Sequence, residues 1–122
     1  MIITELTPVF RTWDISGSVA FYRDVLGFDV LTHEEHWAML AFGTVRLMLS
    51  APNAHEGDVK PGFTGSLYFR VTDAQEVWER VHEKASICYP IEDFEYGMRE
   101  FGIYDNNGYL LQFGQDLEQE GL

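Results

Sequence analysis

The sequence predicts an α+β fold made of two βαβββ modules, and three observations lead to this prediction. First, a short apolar strand, an amphipathic helix and then further strands without helix occur in this order twice along the 122 residues. Second, the candidate helix caps Asp14 and Asp73 lie 59 positions apart, which indicates an internal duplication at about half the chain length. Third, the length and the 46% of hydrophobic residues suit one globular domain with its own core.

The first module, residues 1–50, begins with a short strand within Pro8–Asp14. Apolar residues then recur at helical spacing from Val19 to Leu26, and Gly27 stands at the C-cap position. Three strands follow, with Gly43-Thr44 as the hairpin turn between the last two: Phe28–Thr32, Trp37–Phe42 and Val45–Ser50.

The hairpin turn also predicts the register of its two strands. If Phe42 pairs with Val45, Met39 lies opposite Met48 and Ala41 opposite Arg46. The apolar set on the other side of the sheet is Leu40, Phe42, Leu47 and Leu49. We therefore expect the helix to pack on that side.

The second module, residues 66–115, repeats the arrangement. A strand over Ser66–Val71 leads to Asp73 at the N-cap of a helix that ends near Lys84. The expected strands after it are Ile87–Pro90, Met98–Tyr104 and Tyr109–Phe113, with Asp105–Gly108 as the turn before the last one. Residues 51–65, rich in Pro, Gly and Asn, are the expected linker between the modules, and residues 116–122 are a polar tail that we expect to fray.

Composition and charge exclude several classes of protein. The net charge of −12 repels phosphate backbones and disfavours nucleic acid as a partner. No apolar run reaches the ~18 residues of a membrane span, and the N-terminus lacks the pattern of a signal peptide, so we expect a cytoplasmic protein. The single cysteine, Cys88, excludes a disulfide framework and is expected to be a small buried residue.

The acidic excess lies mostly in the second module, where it alternates with aromatic residues. Residues 62–122 carry 12 acidic and 4 basic side chains, against 8 and 4 in residues 1–61. A mixed acidic and aromatic surface suits a flat cationic ligand. We expect such a ligand to bind in a cavity between the two curved sheets, on faces that mix Met, Tyr, Arg, Ser and Gln.

Other chemistry-bearing residues have simpler interpretations. Residues His33–His36 contain four potential metal donors in a row, but they fit a solvated turn. The acids Glu92, Asp93 and Glu95 lack a partner at catalytic spacing and fit a mobile acidic loop. Trp13 and Trp78 are expected to pack in the core. No serine has the context of a catalytic nucleophile.

Four segments together resemble the vicinal oxygen chelate superfamily of glyoxalases, bleomycin-resistance proteins and extradiol dioxygenases. They are VAFYRDVLGF at residues 19–28, YFRVTD at 68–73, YGMREF at 96–101 and DNNGYLLQF at 105–113. The resemblance covers nearly the whole chain. It implies the glyoxalase/bleomycin resistance/dioxygenase fold and, commonly, a homodimer.

The enzymes of this superfamily hold a divalent metal with His and Glu ligands, and this sequence departs from that pattern. The resemblance places Thr7, Met48, Ser66 and Gln112 at the four ligand positions. A thioether, two hydroxyls and an amide bring no negative charge to offset the desolvation of a divalent ion. We therefore expect no metal site and no cofactor.

The similarity is greatest to the metal-free bleomycin-resistance branch, through LTPVF at residues 6–10, HWAML at 36–40 and RLML at 46–49. It implies a metal-independent protein that sequesters a cationic or aromatic small molecule and has no catalytic residues. The predicted ligand-binding residues are Trp37, Met39, Met48, Ser66, Tyr68, Tyr96, Met98, Arg99, Phe101 and Gln112. The alternatives are a lyase or dioxygenase with an altered metal site, or an accessory subunit with a vestigial cavity.

Overall fold

The computed structural model describes residues 1–53, 60 and 62–119. The chain forms two compact units, Met1–Gly62 and Phe63–Leu122. Residues 54–59 and 61, in the expected linker, lie outside the described residues, as do residues 120–122 of the expected tail.

The first unit contains one helix and a four-stranded mixed sheet. Its strands are β1 (Val9–Arg11), β2 (Asp29–His33), β3 (Trp37–Phe42) and β4 (Val45–Ser50), and its helix is α1 (Ile15–Ala20), which continues as a π-helical turn (Phe21–Val25). The strand order is β1-β4-β3-β2, with β1 parallel to β4 and the other pairs antiparallel. The predicted register is confirmed, since Met39 pairs with Met48 and Ala41 with Arg46.

Local signals fix both ends of the first helical segment. The Asp14 side chain accepts a hydrogen bond from the Gly17 amide at 2.9 Å, as an N-cap residue does. At the other end Gly27 has a φ of 85°, which favours glycine. Between these ends Val19 and Tyr22 are buried, so the helix covers one face of its sheet.

The second unit repeats the same order of elements. Its strands are β5 (Leu67–Arg70), β6 (Ser86–Phe94), β7 (Met98–Tyr104) and β8 (Leu110–Asp116), and its helix is α2 (Ala74–Val81). The order β5-β8-β7-β6, with β5 parallel to β8, matches that of the first sheet. The described residues form two open mixed sheets and no closed barrel, which confirms the predicted fold.

Aromatic packing holds α2 against its sheet. Trp78 lies edge-on to Phe101 at 5.2 Å between ring centroids, and Phe101 stacks on Phe113 at 5.1 Å. Gln115 ties the helix start to β8, because its side-chain oxygen accepts a hydrogen bond from the Ala74 amide at 2.8 Å. The packing role predicted for Trp78 is thus confirmed.

Strands of the second unit extend beyond the predicted bounds. β6 continues through Glu92 and Asp93, so these acids belong to a strand paired with β7, and the prediction of a mobile loop is wrong for them. The predicted fraying from residue 116 is also wrong for its first residues. Leu117–Gln119 form a 3₁₀ turn, and the Leu117 amide donates to the Gly97 carbonyl at 2.9 Å.

Two predictions of burial are wrong. Trp13 is 69% exposed, because the inward position next to it is taken by Thr12, which is fully buried. Cys88 is exposed on β6, where the register with β7 shifts between Ile87 and Tyr89. A bulge at this point removes Cys88 from the regular alternation of the edge strand.

None of the helices in the described part of the chain is long and apolar enough to cross a membrane.

Candidate functional site

The second sheet has one face covered by α2 and an opposite face, which we call the open face. Side chains alternate along a strand, and Phe101 and Phe113 point toward α2. Their neighbours Glu100 and Gln112 therefore point to the open face. This face carries a network of polar side chains that contact one another.

A buried glutamate lies at the centre of the open face. Glu100 on β7 is only 4% exposed, and three tyrosine hydroxyls donate hydrogen bonds to it. Tyr68 donates to Oε1 at 2.7 Å, whereas Tyr89 and Tyr96 donate to Oε2 at 2.5 and 3.1 Å. Three O–H donors directed at two oxygens fit an ionised carboxylate. We call these four residues the tyrosine cluster.

The hydrogen-bonded network continues to β8 and β5. The Gln112 amide nitrogen donates to the Tyr89 oxygen at 3.0 Å, and Ser66 Oγ donates to Gln112 Oε1 at 2.5 Å. The hydroxyl of Tyr89 thereby accepts from one side chain and donates to Glu100. Every member of the network holds another in a fixed orientation.

Two glycines make room for the tyrosine rings. A row of residues crosses the sheet in the order Tyr68, Gln112, Gly102, Tyr89. A Cβ atom at Gly102 would come within 2.4 Å of the Tyr89 ring, and one at Gly114 within 1.9 Å of the Tyr68 hydroxyl oxygen. Only glycine at these positions lets both rings lie across the sheet and reach Glu100.

Charges on this face form a second row. Arg70, Gly114, Glu100 and Glu92 follow one another across the four strands. Glu92 thus lies directly opposite Glu100, whereas Arg70 lies two strands away, about 10 Å at the usual strand spacing. Among the described residues no basic side chain forms a salt bridge with either glutamate.

This environment changes the acidity of the tyrosines. Burial, followed by the hydrogen bond to Glu100, raises the pKa of Tyr68 well above its ordinary value. The pKa of Tyr89 is raised for the same two reasons, partly offset by the hydrogen bond from Gln112. Both phenols therefore stay protonated and remain donors to the carboxylate at neutral pH.

The four positions that the sequence resemblance assigns to metal ligands carry side chains unsuited to a divalent ion. Ser66 and Gln112 contact each other, and the hydroxyl proton and the amide oxygen are used in their mutual hydrogen bond. In the first unit Thr7 donates to Glu5 at 3.2 Å, and Met48 offers a thioether. These neutral groups do not match the ligands that a divalent ion requires.

No group of three or more His, Cys, Asp or Glu residues within the described ranges is arranged to hold a metal ion. His33 ends β2, and the rest of the His33–His36 segment is an exposed turn, as predicted.

The first sheet also has a face directed away from its core. Trp37, Met39 and Met48 share that face, since Met39 pairs with Met48 and Trp37 stands two positions before Met39. Trp37 is 38% exposed. Leu40, Leu47 and Leu49 on the other side are buried. This face thus presents an aromatic ring beside two thioethers.

Two predicted ligand-binding residues lie on the wrong face of the second sheet. Phe101 is fully buried under α2. Arg99 alternates with Glu100 and forms a bidentate pair with Asp93, at 2.7 and 3.2 Å. Alternation along β7 places Met98, not Arg99 or Phe101, beside Glu100. In the second unit the predicted residues brought to the open face are Ser66, Tyr68, Tyr96, Met98 and Gln112.

Sequence reasoning missed Glu100 and Tyr89 as site residues. A usable signal was present, because Gly102 interrupts the predicted strand Met98–Tyr104, and glycine inside a strand often marks the close approach of another group.

A pair of βαβββ units, each with a mixed four-stranded sheet and one helix, defines the structural class. Residues 6–113 match the family model of the Glyoxalase/Bleomycin resistance protein/Dioxygenase superfamily. The chain belongs to this superfamily.

Individual relatives include proteins named for antibiotic resistance or binding. A bleomycin resistance protein of Geobacillus stearothermophilus is 25% identical over 127 residues, which cover 91% of this chain and 96% of the relative. The bleomycin-binding protein of Streptomyces verticillus, solved with copper(II)-bleomycin, has a TM-score of 0.69 at 24% identity, covering 93% of this chain and 96% of that one. An antibiotic binding protein from a Streptomyces species has a TM-score of 0.76 at 21% identity, covering 95% and 98%.

Proposed function

We propose that this protein is a metal-independent binding protein that sequesters a cationic or aromatic small molecule. The observation that carries the proposal is the buried carboxylate of Glu100 within a frame of tyrosines on an open sheet face. A fixed negative charge among aromatic rings suits a ligand that is positively charged, planar or both.

The relatives support this choice of function. Proteins named for bleomycin resistance match almost the full length of the chain, and a structural neighbour was solved with copper(II)-bleomycin. Bleomycin combines basic groups with planar heteroaromatic rings, so a similar compound is the natural first probe. Its rings could stack on Trp37, and its basic groups would be attracted to the acidic surface.

The proposal includes the state of the protein. We propose that it acts as a homodimer in the cytoplasm and binds its ligand without converting it. The neutral side chains at Thr7, Met48, Ser66 and Gln112 support metal independence. Elemental analysis of the purified protein tests this part, since stoichiometric zinc, nickel, manganese or iron would favour a lyase or dioxygenase instead.

Quenching of tryptophan fluorescence by bleomycin tests the binding function. We expect saturable quenching, and we expect Trp37→Ala to weaken the affinity by about 0.5–2 kcal/mol because a stacking partner is lost. Trp78→Phe is the matched control, since Trp78 packs against Phe101 under α2 and its replacement keeps an aromatic ring there.

The two variants separate the possible outcomes. Equal affinity losses in both would show that the effect comes through folding rather than stacking. Absence of saturable binding of bleomycin and of simpler cationic or aromatic compounds by the native protein would refute the proposed function.

A further inference from the structure

We infer that the tyrosine cluster recognises an organic ammonium group, which binds between the exposed rings of Tyr68 and Tyr96 above the carboxylate of Glu100. The inference rests on the proposed function and makes it more specific. It assigns the charged part of the ligand to the second unit alone and names its chemical class.

The first argument is the charge on the open face. Glu92 and Glu100 are cross-strand partners, and like charges in this arrangement repel each other. No salt bridge to a basic residue of the described chain offsets either charge. Arg70 is separated from Glu100 by the strand that carries Gly114. An added cation would therefore remove a repulsion that the protein leaves in place.

The second argument is the hydrogen-bonding capacity of the phenols. Because each hydroxyl proton points to Glu100, each oxygen turns its lone pairs away from the carboxylate. The lone pairs of Tyr89 already accept from Gln112. Those of Tyr68 and Tyr96 can accept from an N–H donor. An ammonium group has three such donors and no acceptor, so it complements this arrangement.

The third argument is access and aromatic surface. Tyr68 is 45% exposed and Tyr96 is 61% exposed, although both hydroxyls end on a buried carboxylate. Tyr96 also stacks on Phe94 at 5.3 Å with an interplanar angle of 10°, which holds its ring in place. A cation beside these rings gains a favourable interaction with the electron-rich ring faces.

The chemistry favours an organic cation over a metal ion. The oxygens that remain available belong to two neutral phenols, which are poor ligands for hard divalent ions, and to the single carboxylate of Glu92. Two carboxylates are present, but one is saturated by three hydroxyl donors. An ammonium ion needs no such ligand set, because one nearby charge, two acceptors and a ring face suffice.

The experiment uses three probes that differ only at one end: 2-phenylethylamine, 2-phenylethanol and 3-phenylpropionate. Each is titrated into the 122-residue protein at neutral pH while two-dimensional NMR follows the Gly102 and Gly114 amides. We expect saturable shifts for the amine, and weaker binding of the alcohol and of the acid by roughly tenfold or more.

Variants then test the assigned residues. Glu100→Gln should abolish the preference for the amine over the alcohol, and Glu92→Gln should reduce it severalfold. Tyr68→Phe offers a milder change, which keeps the ring but removes one acceptor, should Glu100→Gln fail to fold. Glu83→Gln is the charge-matched control, since Glu83 is exposed and follows α2 on the covered side of the sheet. It should leave the amine preference intact.

The outcomes distinguish this inference from the proposed function. If bleomycin binds the native protein and Glu100→Gln equally well and the amine shows no preference, the function stands and the ammonium site is wrong. If calcium or magnesium alone saturates the glycine shifts and the amine does not, the cluster takes an inorganic cation and the inference is also wrong. If the native protein binds neither bleomycin nor any of the three phenyl compounds, both the proposed function and the inference are wrong.

Discussion

Glu100 stays buried because its charge is fully hydrogen-bonded. An ionised carboxylate without partners inside a protein costs several kcal/mol, and the group would otherwise become exposed or protonated. Tyr68, Tyr89 and Tyr96 replace the lost water with three O–H donors. Hydrogen bonds to a charged group contribute about 1.5–3 kcal/mol each, so the cluster offsets much of the desolvation.

The raised pKa values of Tyr68 and Tyr89 predict how stability depends on pH. Unfolded tyrosines ionise near pH 10, whereas these two resist ionisation in the folded state. Their contribution is thus fully present below about pH 10 and is lost as the pH rises through the folded-state values. We expect the free energy of unfolding to fall with alkaline pH in urea titrations.

Tyr89→Phe gives the comparison for this measurement. It should lower stability at neutral pH, because Glu100 and Gln112 each lose a partner, and it should flatten the alkaline decline. All other side chains are common to both proteins, so their contributions cancel in the comparison. The same alkaline slope in both proteins would mean that Tyr89 does not titrate as proposed.

At the scale of elements, the glycines within β7 and β8 position the tyrosines. The Tyr68 hydroxyl occupies the space that a side chain at Gly114 would take. Gly114→Ala must therefore push the end of Tyr68 away from Glu100. We expect a loss of about 1–3 kcal/mol in the free energy of unfolding, the range for a buried polar group deprived of a partner.

A double-mutant cycle separates this effect from a general cost in the strand. In a Tyr68→Ala background nothing fills the space above residue 114, so Gly114→Ala should be close to neutral. Urea unfolding of the four proteins gives the coupling energy. If Gly114→Ala lowers the free energy of unfolding equally in both backgrounds, the destabilisation arises in the strand itself and Tyr68 does not contribute to it.

The sequence predicted elements better than site residues, and the difference has a physical cause. Alternation and turn residues act locally, which is why the β3–β4 register around Met39 and Met48 was predictable. The length of β6 was not predictable, because Glu92 and Asp93 are acidic and owe their strand conformation to pairing with β7. That pairing is a tertiary effect, which overrides local propensity.

The candidate site was predicted in part for a related reason. Ser66, Tyr68 and Gln112 follow from alternation along two strands, and the structure brings Ser66 and Gln112 into hydrogen-bond contact. Nothing in the sequence distinguished Glu100 from the other acidic residues of the same segment. Its role depends on Tyr89, which reaches it from β6 across a glycine, and no local pattern reports such a contact.

At the scale of the whole molecule, the net charge of −12 acts on any ligand before contact. The excess is not evenly distributed, since residues 62–122 carry 12 acidic and 4 basic side chains and contain the tyrosine cluster. Both the long-range field and the local charge of Glu100 therefore favour a cation. The two contributions differ in how strongly salt weakens them.

Salt dependence separates these contributions. Raising the ionic strength from 0.1 to 1 M shortens the screening length from ~10 Å to ~3 Å, which removes most of the long-range attraction. Contacts with Glu100 and stacking on aromatic rings act at shorter range and are screened less. We expect the affinity for bleomycin, measured by fluorescence quenching, to fall over this range but not to vanish.

Glutathione thioethers serve as the anionic comparison for the cationic ligand. The direction in which salt changes each affinity shows whether the acidic surface attracts or repels the ligand. Salt should weaken binding of the cation and leave the anion weakly bound or slightly improved, because screening reduces the repulsion from an acidic surface. An anionic adduct that binds more tightly than every cation tested would contradict the electrostatic basis of the proposed function. It would instead favour a glutathione-dependent lyase, whose substrate carries negative charge.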